Sequence, residues 1–291
     1  MYKKLSLLAG LAGIVLMTSC EEKGPIIELE PREPAEDTTY VGTVGTVQPK
    51  KILIEEFTGA TCPNCPDAQV MLNNFSAQNP GRLAIMAVHV LNVSQTRPVK
   101  GAKYDFRTQD GTDAATTYYG AINNLPNAGI DRTKSLAGDM QQPTGAWGKS
   151  IEDRLKLSAT VNLDVASTYN AQTRMATIEV KIAYNKAMEG QQFLSLALVE
   201  DGMIDKQDKT GVVVEDYVFN HVLRDYITSP VGVAYLGSTT KEAGRVYIRR
   251  FKYKVEDARV AEKCHLIAFV HSNNGENKEV LQAADAHLTG K

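Results

Sequence analysis

The stretch KILIEEFTGATCPNCPDA, residues 51–68, decides the fold. Lys51 to Phe57 is apolar and β-branched over most of its length, which predicts a strand. Thr58-Gly59-Ala60-Thr61 then turns the chain into Cys62-Pro63-Asn64-Cys65, and a helical pattern follows with Val70, Met71, Leu72 and Phe75 as its apolar face. A first cysteine at a helix N-terminus faces unpaired N–H groups and the positive end of the dipole, which favour the thiolate. The second cysteine, one turn along, closes a small ring and releases a mixed disulfide by exchange. Pro66 suits the first helical turn, where a missing N–H costs little.

Strand, turn, C-x-x-C and helix resemble a thioredoxin-like redox site, and two further positions extend the resemblance. Glu56 lies six residues before Cys62 at the strand end, where thioredoxin-like proteins place a buried carboxylate beneath the second cysteine. Tyr119-Gly120-Ala121-Ile122-Asn123-Asn124-Leu125-Pro126 is similar to the segment that ends in their cis-proline, with one extra residue. The resemblance implies that Glu56 handles a thiol proton and that Pro126 shapes a groove for an extended substrate chain. RLAIMAVHV (82–90) is a continuous apolar run, as expected of a central parallel strand buried on both faces. Residues 92–117 read as an insertion, PNAGIDRT (126–133) as the start of the antiparallel part of the sheet, and residues 144–157 as a closing helix with Trp147, Ile151 and Leu155 on one face.

The same residues carry plainer readings. An exported C-x-x-C can be a fixed disulfide between Cys62 and Cys65, Glu56 a strand-end acid, and Pro126 an ordinary loop proline. Deep burial of both sulfurs favours the fixed disulfide; a reachable Cys62 at a helix start beside a cis Pro126 favours redox chemistry. No second C-x-x-C and no paired histidines complete a four-ligand zinc set. His89, ending a buried strand, reads as structural.

Beyond Leu157 the pattern changes to short alternating segments: 159–169, 175–184, 193–201, 212–227, 245–255, 264–272 and 278–288. Several strands with turn residues between them predict an immunoglobulin-like antiparallel β-sandwich over 158–291, following a thioredoxin-like domain over 51–157. Asn170-Ala171-Gln172 reads as a hairpin turn, and Cys264 as an inward-facing core thiol. His221, beside Asn220 and Arg224, forms no ligand spacing with His265 or His271.

The other end of the chain speaks to location. Lys3 and Lys4 precede an apolar run from Leu5 to Met17, and Thr18-Ser19 leads into Cys20. That is the layout of a secretory signal, residues 1–19. Thirteen apolar residues fall short of the roughly twenty that cross a bilayer. Small residues before Cys20 resemble the lipobox of bacterial lipoproteins, apart from Met17 where leucine is usual. The resemblance implies diacylglycerol on the Cys20 sulfur and a fatty acyl group such as palmitate on its amine. Two or three acyl chains, at ~0.8 kcal/mol per buried methylene, give essentially permanent anchoring. Residues 20–50, with four prolines and many acids, read as a flexible tether. Acidic Glu21 and Glu22 look like outer-membrane sorting signals of some Gram-negative groups. A formal charge of −2 gives no sign of a nucleic-acid partner.

Taken together, EEFTGATCPNCP (55–66), LPNAGIDR (125–132), DYVFNHVLRDYI (216–227) and EVLQAA (279–284) resemble the outer-membrane-protein-28-related lipoprotein family. What this implies is an outer-membrane lipoprotein with a thioredoxin-like domain and a β-rich C-terminal domain. It brings no settled activity. Two function classes remain: a tethered thiol–disulfide oxidoreductase acting on envelope proteins through Cys62, Cys65, Glu56 and Pro126, or a binding, adhesion or envelope-assembly lipoprotein whose C-x-x-C staples a helix end. Neither calls for a cofactor beyond the lipid on Cys20. The membrane face and oligomeric state are not legible.

Overall fold

Ile52–Phe57 and Leu83–Val88 lie side by side in parallel at the centre of a nine-stranded sheet, every residue of both strands buried. The computed structural model describes residues 37–237 and 240–290, so the expected signal peptide and Cys20 lie outside the described residues. In chain order these hold β1 (Asp37–Val41), β2 (Ile52–Phe57), α1 (Cys65–Gln78), β3 (Leu83–Val88), α2 (Gln109–Tyr119), β4 (Asn127–Ile130), β5 (Gln142–Pro143) and α3 (Thr144–Leu155). The second half holds β6 (Val161–Asn170), β7 (Met175–Tyr184), β8 (Gln192–Glu200), β9 (Met203–Lys209), β10 (Val212–Phe219), β11 (Val222–Tyr226), β12 (Val233–Ala234), β13 (Arg245–Lys254), β14 (Cys264–Ser272) and β15 (Val280–His287).

The large sheet runs β15-β14-β8-β11-β3-β2-β4-β5, with β12 added on β8. β4 is antiparallel to β2, with Asn127 opposite Phe57. On the other side β11 meets β3 in parallel at Val222 and Ala87, and turns the remaining strands antiparallel through β8. The sheet therefore crosses the expected boundary at residues 157 and 158 without a break. Residues of both halves share one compact unit. The pairing that joins them, β3 with β11, links strands more than a hundred residues apart, beyond the reach of local patterning.

A second, four-stranded sheet of order β1-β13-β7-β6 packs on the β8-β14-β15 end of the large one. Their shared core holds Leu163, Ile178, Val180, Ile182, Leu196 and Leu266, with Cys264 among them and inward-facing. The arrangement is a sandwich in which one layer is shared with the N-terminal half. A tether reaching to residue 50 is corrected here: from Asp37 the chain is an edge strand on β13, because Asp-Thr-Thr-Tyr-Val offers a β-branched, ladder-compatible backbone. Lys50 is fully buried, its ammonium 2.9 Å from Asp131.

The helices cover the other end. α1 and α3 pack on one face of β2, β3 and β4 through Ile52, Ile54, Leu72, Ile85, Trp147 and Ile151. Each such side chain contributes about 1.5–3 kcal/mol by leaving water. Trp147 is fully buried and its indole N–H donates to the Gln142 carbonyl at 2.8 Å. The expected apolar face of α1 is partly wrong. Ala68, Leu72 and Phe75 meet the sheet, whereas Val70 and Met71 are exposed. α2, from the inserted segment, packs on the opposite face with Ala114, Ala115, Tyr118 and Tyr119. Among the described residues no helix is long and apolar enough to cross a membrane.

Candidate functional site

Gly59 starts the turn that carries the cysteines off the end of β2. A Cβ there would lie 2.2 Å from the Gln95 carbonyl oxygen, so only glycine lets the two backbones meet. Gln95 in turn accepts the Thr61 N–H at 3.0 Å. The insertion thus buttresses the motif. Cys62 N–H donates to the Gly59 carbonyl, and Cys65 N–H to the Cys62 carbonyl. α1 begins at Cys65 with Asn64 as the preceding cap residue, so Cys65 holds the first helical position and Cys62 sits in the turn before it. Pro66 is in the first helical turn, as its missing N–H favours.

Cys62 and Cys65 form a disulfide. The expectation of a reachable Cys62 is not met: it is 0% exposed, and Cys65 2%. What covers them is the hairpin of β9 and β10, which forms a small sheet of its own. Asp208 N–H donates to the Ala60 carbonyl at 2.9 Å, and Thr210 N–H to the Pro63 carbonyl at 3.1 Å. The Gln207 amide nitrogen donates to the carbonyls of Gly59 at 3.2 Å and Cys62 at 3.1 Å. Lys209 adds an ion pair to Asp67 on α1. No sequence pattern marks this hairpin as the cover, because its partners lie about 145 positions away.

Beneath the hairpin lies a small enclosed cavity with room for about one water, bordered by Cys65, Ala87, His89, Gln207, Tyr217 and Phe219. Glu56, whose register partner is Ala87, is fully buried, and among the described residues neither of its carboxyl oxygens has a hydrogen-bond partner. Burial pushes its pKa up to about 8, so the group is neutral at pH 7. Its charge would be felt at Tyr217 on the cavity wall, whose phenol burial and Glu56 together hold well above its ordinary value. His89 is likewise buried, its ring beside the contacting pair of Phe106 and Phe219, and burial drives its pKa down to about 4. It is therefore neutral as well.

The Leu125–Pro126 peptide is cis. Pro126 immediately precedes β4, opposite the end of β2 from which the cysteine turn departs. It borders an open groove with Tyr119, Asn124, Asn127, Asp139 and Gln141, and neither cysteine lines that groove. Behind the groove, Arg132 is clamped on both carboxyl oxygens of Glu55 at 2.8 and 2.9 Å, and Tyr119 donates to the same carboxylate. These buried charges were not anticipated from the sequence. The only local signal is the adjacency of two charged residues, Asp131-Arg132, directly after a strand.

His221, singled out in the sequence, faces Asp201 at 3.3 Å, and His265 meets the other oxygen of Asp201 at 3.0 Å. Among the described residues no cluster of histidine, cysteine and acid side chains is arranged to hold a metal ion. His271 is a core group, 3.0 Å from the Ser195 hydroxyl.

Comparison with known proteins gives a family and a fold likeness. The solved structure of HBP35 of Porphyromonas gingivalis is similar over 86% of this chain and 77% of its own, at a TM-score of 0.63 and 15% identity. A protein of Agrobacterium tumefaciens is similar over 84% of this chain and 97% of its own, at 0.51 and 16%. A domain of the outer membrane lipoprotein Omp28 from P. gingivalis aligns over 45% of this chain and 88% of its own at 20% identity, with a TM-score of 0.31 that carries no fold argument. These identities speak to fold alone. No curated protein matches. The profile described as Outer membrane protein Omp28 matches residues 112–289, more than half of the chain and every strand from β4 to β15. The chain belongs to the Omp28 family of outer membrane proteins.

Proposed function

We propose that this protein is an outer-membrane lipoprotein, anchored through lipid on Cys20, whose N-terminal half is a thioredoxin-like module and whose Cys62–Cys65 pair exchanges disulfides with envelope proteins. The observation that carries the redox reading is Glu56. A buried carboxyl without a hydrogen bond is destabilising, and a disulfide that only staples a helix end needs none. A buried acid with a pKa of about 8, on the strand that leads into the cysteine turn, is matched to the proton that a cysteine gains or loses on exchange. In this reading Cys62 attacks or is attacked, Cys65 resolves, Glu56 holds the proton, and the cis Pro126 shapes the neighbouring surface.

Each exchange swaps one sulfur–sulfur bond for another. A client disulfide reduced here leaves Cys62 and Cys65 oxidised, and a client dithiol oxidised here leaves them as two thiols. The burial of both sulfurs supports a second reading, in which the pair is a structural staple and the sandwich half binds, adheres or assists envelope assembly. Measurement of the reduction potential of the full chain separates the two. A value within ~−270 to −120 mV, together with mixed disulfides trapped by Cys65→Ala, supports exchange. A value below about −300 mV with no trapped protein leaves the staple.

A further inference from the structure

The β9–β10 hairpin holds the cysteine turn through backbone and amide donors at its tip. Asp208 and Thr210, two residues apart, both donate backbone N–H groups to the turn, at the carbonyls of Ala60 and Pro63. Asp208 donates from the outer side of β9, and Thr210 donates from the hairpin turn itself, where its φ is +51°. The Gln207 side chain supplies what a third peptide N–H would, reaching the carbonyls of Gly59 and Cys62. Four consecutive acceptors around the disulfide, apart from Thr61, are thereby occupied by a segment of the same chain.

We infer that residues 207–210 are a built-in stand-in for a polypeptide segment that offers backbone N–H groups, and that the turn 59–63 is a peptide-binding site which takes such a segment from a client when the hairpin tip lifts. This rests on the redox reading for its purpose, though not for the binding itself.

The way the hairpin is attached separates a base from a tip. The base is apolar: Met203 and Phe219 pack with Ala60, Phe106 and Val222, and the Asp205 carboxylate accepts the N–H groups of Lys103 and Tyr104. The tip touches the motif through polar groups, and its valines 212 and 213 are exposed at 66% and 42%. A break in register between Val214 and Tyr217 divides the two halves. Polar contacts exchange for water or for another peptide at small net change, about 0.5–1.5 kcal/mol each, whereas the apolar base resists opening. The geometry thus favours a tip that lifts about an anchored base. A client needs two free backbone N–H groups at i and i+2 spacing, as Asp208 and Thr210 supply them here.

Asp208→Pro in the full chain tests this. The N–H at 208 is spent on Ala60 rather than on β10, so proline removes the contact to the turn and keeps the hairpin ladder, while also removing the bond from the Gly211 N–H to the Asp208 carboxylate. Gln207→Ala removes the side-chain donor and leaves the backbone untouched. In each variant, reduction of Cys62–Cys65 by dithiothreitol, which is oxidised to its cyclic disulfide as the two thiols form, is expected at least tenfold faster than in the wild type. A dye-labelled peptide of residues 203–210 is expected to bind the variants saturably by fluorescence anisotropy, and the wild type far more weakly because its own hairpin competes. Should Asp208→Pro fail to fold by circular dichroism, Gln207→Ala carries the test alone. Wild-type reduction rates in a folded variant, or absence of peptide binding, overturn the inference. Peptide binding with no protein trapped by Cys65→Ala leaves the peptide site standing and removes the redox reading.

Discussion

The side-chain amide of Gln207 donates to the Cys62 carbonyl at 3.1 Å across 145 positions of sequence. Through this bond, and the one to Gly59, the cysteine turn is completed by a strand from the other half of the chain. The burial of the disulfide is therefore a tertiary property. Nothing in EFTGATCPNCP itself hides its sulfurs, and the same turn without β9 loses the donors to its Ala60 and Pro63 carbonyls. The continuous sheet makes this arrangement stable, since β9 and β10 run directly between β8 and β11, both of which are in that sheet.

Glu56 sets a pH dependence of stability. Its carboxyl titrates ordinarily near 4.5 and in the fold at about 8. Between those limits the folded chain keeps a proton that the unfolded chain has lost, so stability falls as pH rises through the window. The slope is at most about 1.4 kcal/mol per pH unit from this one group. Glu56→Gln removes the titration and keeps the shape. The difference in urea-unfolding free energy between Glu56→Gln and wild type is expected to grow in favour of the variant from pH 5 to pH 8, and a difference that stays flat contradicts the assignment. His89 titrates in the opposite sense, between 6.5 and about 4, and cancels in this comparison.

Gly59→Ala is expected to destabilise the chain by about 1–3 kcal/mol in equilibrium unfolding. The added methyl would meet the Gln95 carbonyl carbon at 2.7 Å and the Thr96 Cα at 2.8 Å, and these are backbone atoms that cannot rotate away. Thr61 would also lose its bond to Gln95 if the two segments parted. Gly145→Ala, where nothing lies within 4 Å of the new Cβ, is the matched control and is expected to be neutral or stabilising.

Those elements whose evidence is local were legible in the sequence. Leu83–Val88 is an unbroken apolar run and is a buried central strand; Trp147 and Ile151 at four-residue spacing do face the sheet from α3. The α1 face was misjudged because Val70, Met71 and Leu72 are consecutive, and only one of three consecutive helical positions can point at a sheet. The positions that do, 68, 72 and 75, follow the i, i+4, i+7 rule. The strand at Asp37–Val41 was hidden by its acidic, proline-rich neighbourhood, and its partner β13 is some two hundred positions away. At the site, the cysteine pair and the position of Glu56 at the end of β2 were legible from local pattern. Their covering hairpin could not, since hydrogen bonds to backbone carbonyls demand no particular residue except at Gln207.

The buried pair of Glu55 and Arg132 yields a prediction of a different kind. Glu55→Gln removes the negative charge and leaves Arg132, with no solvent to turn to, stacked 3.5 Å over the Tyr118 ring. Loss of one partner of a buried pair typically costs about 3–5 kcal/mol. The double replacement Glu55→Leu with Arg132→Met takes away both charges, and is expected to recover most of that loss. Chemical denaturation of the three proteins measures it, and a double variant no better than Glu55→Gln shows that shape rather than charge balance governs the site.

Removal of the disulfide separates a staple from a spare bond. Cys62 and Cys65 enclose so short a loop that the chain-entropy contribution is roughly 2 kcal/mol. A redox pair must be able to stand open, so the fold has to survive without that contribution. The other contacts of the turn, to Gln95, Gln207, Asp208 and Thr210, do not involve sulfur and remain when it is reduced. Urea unfolding of wild type with and without reductant, and of Cys62→Ala with Cys65→Ala, is therefore expected to show a cooperative transition in each case, with a loss of about 2 kcal/mol. A loss twice as large, or a reduced chain without a cooperative transition, makes the bond a structural requirement and argues that it does not cycle.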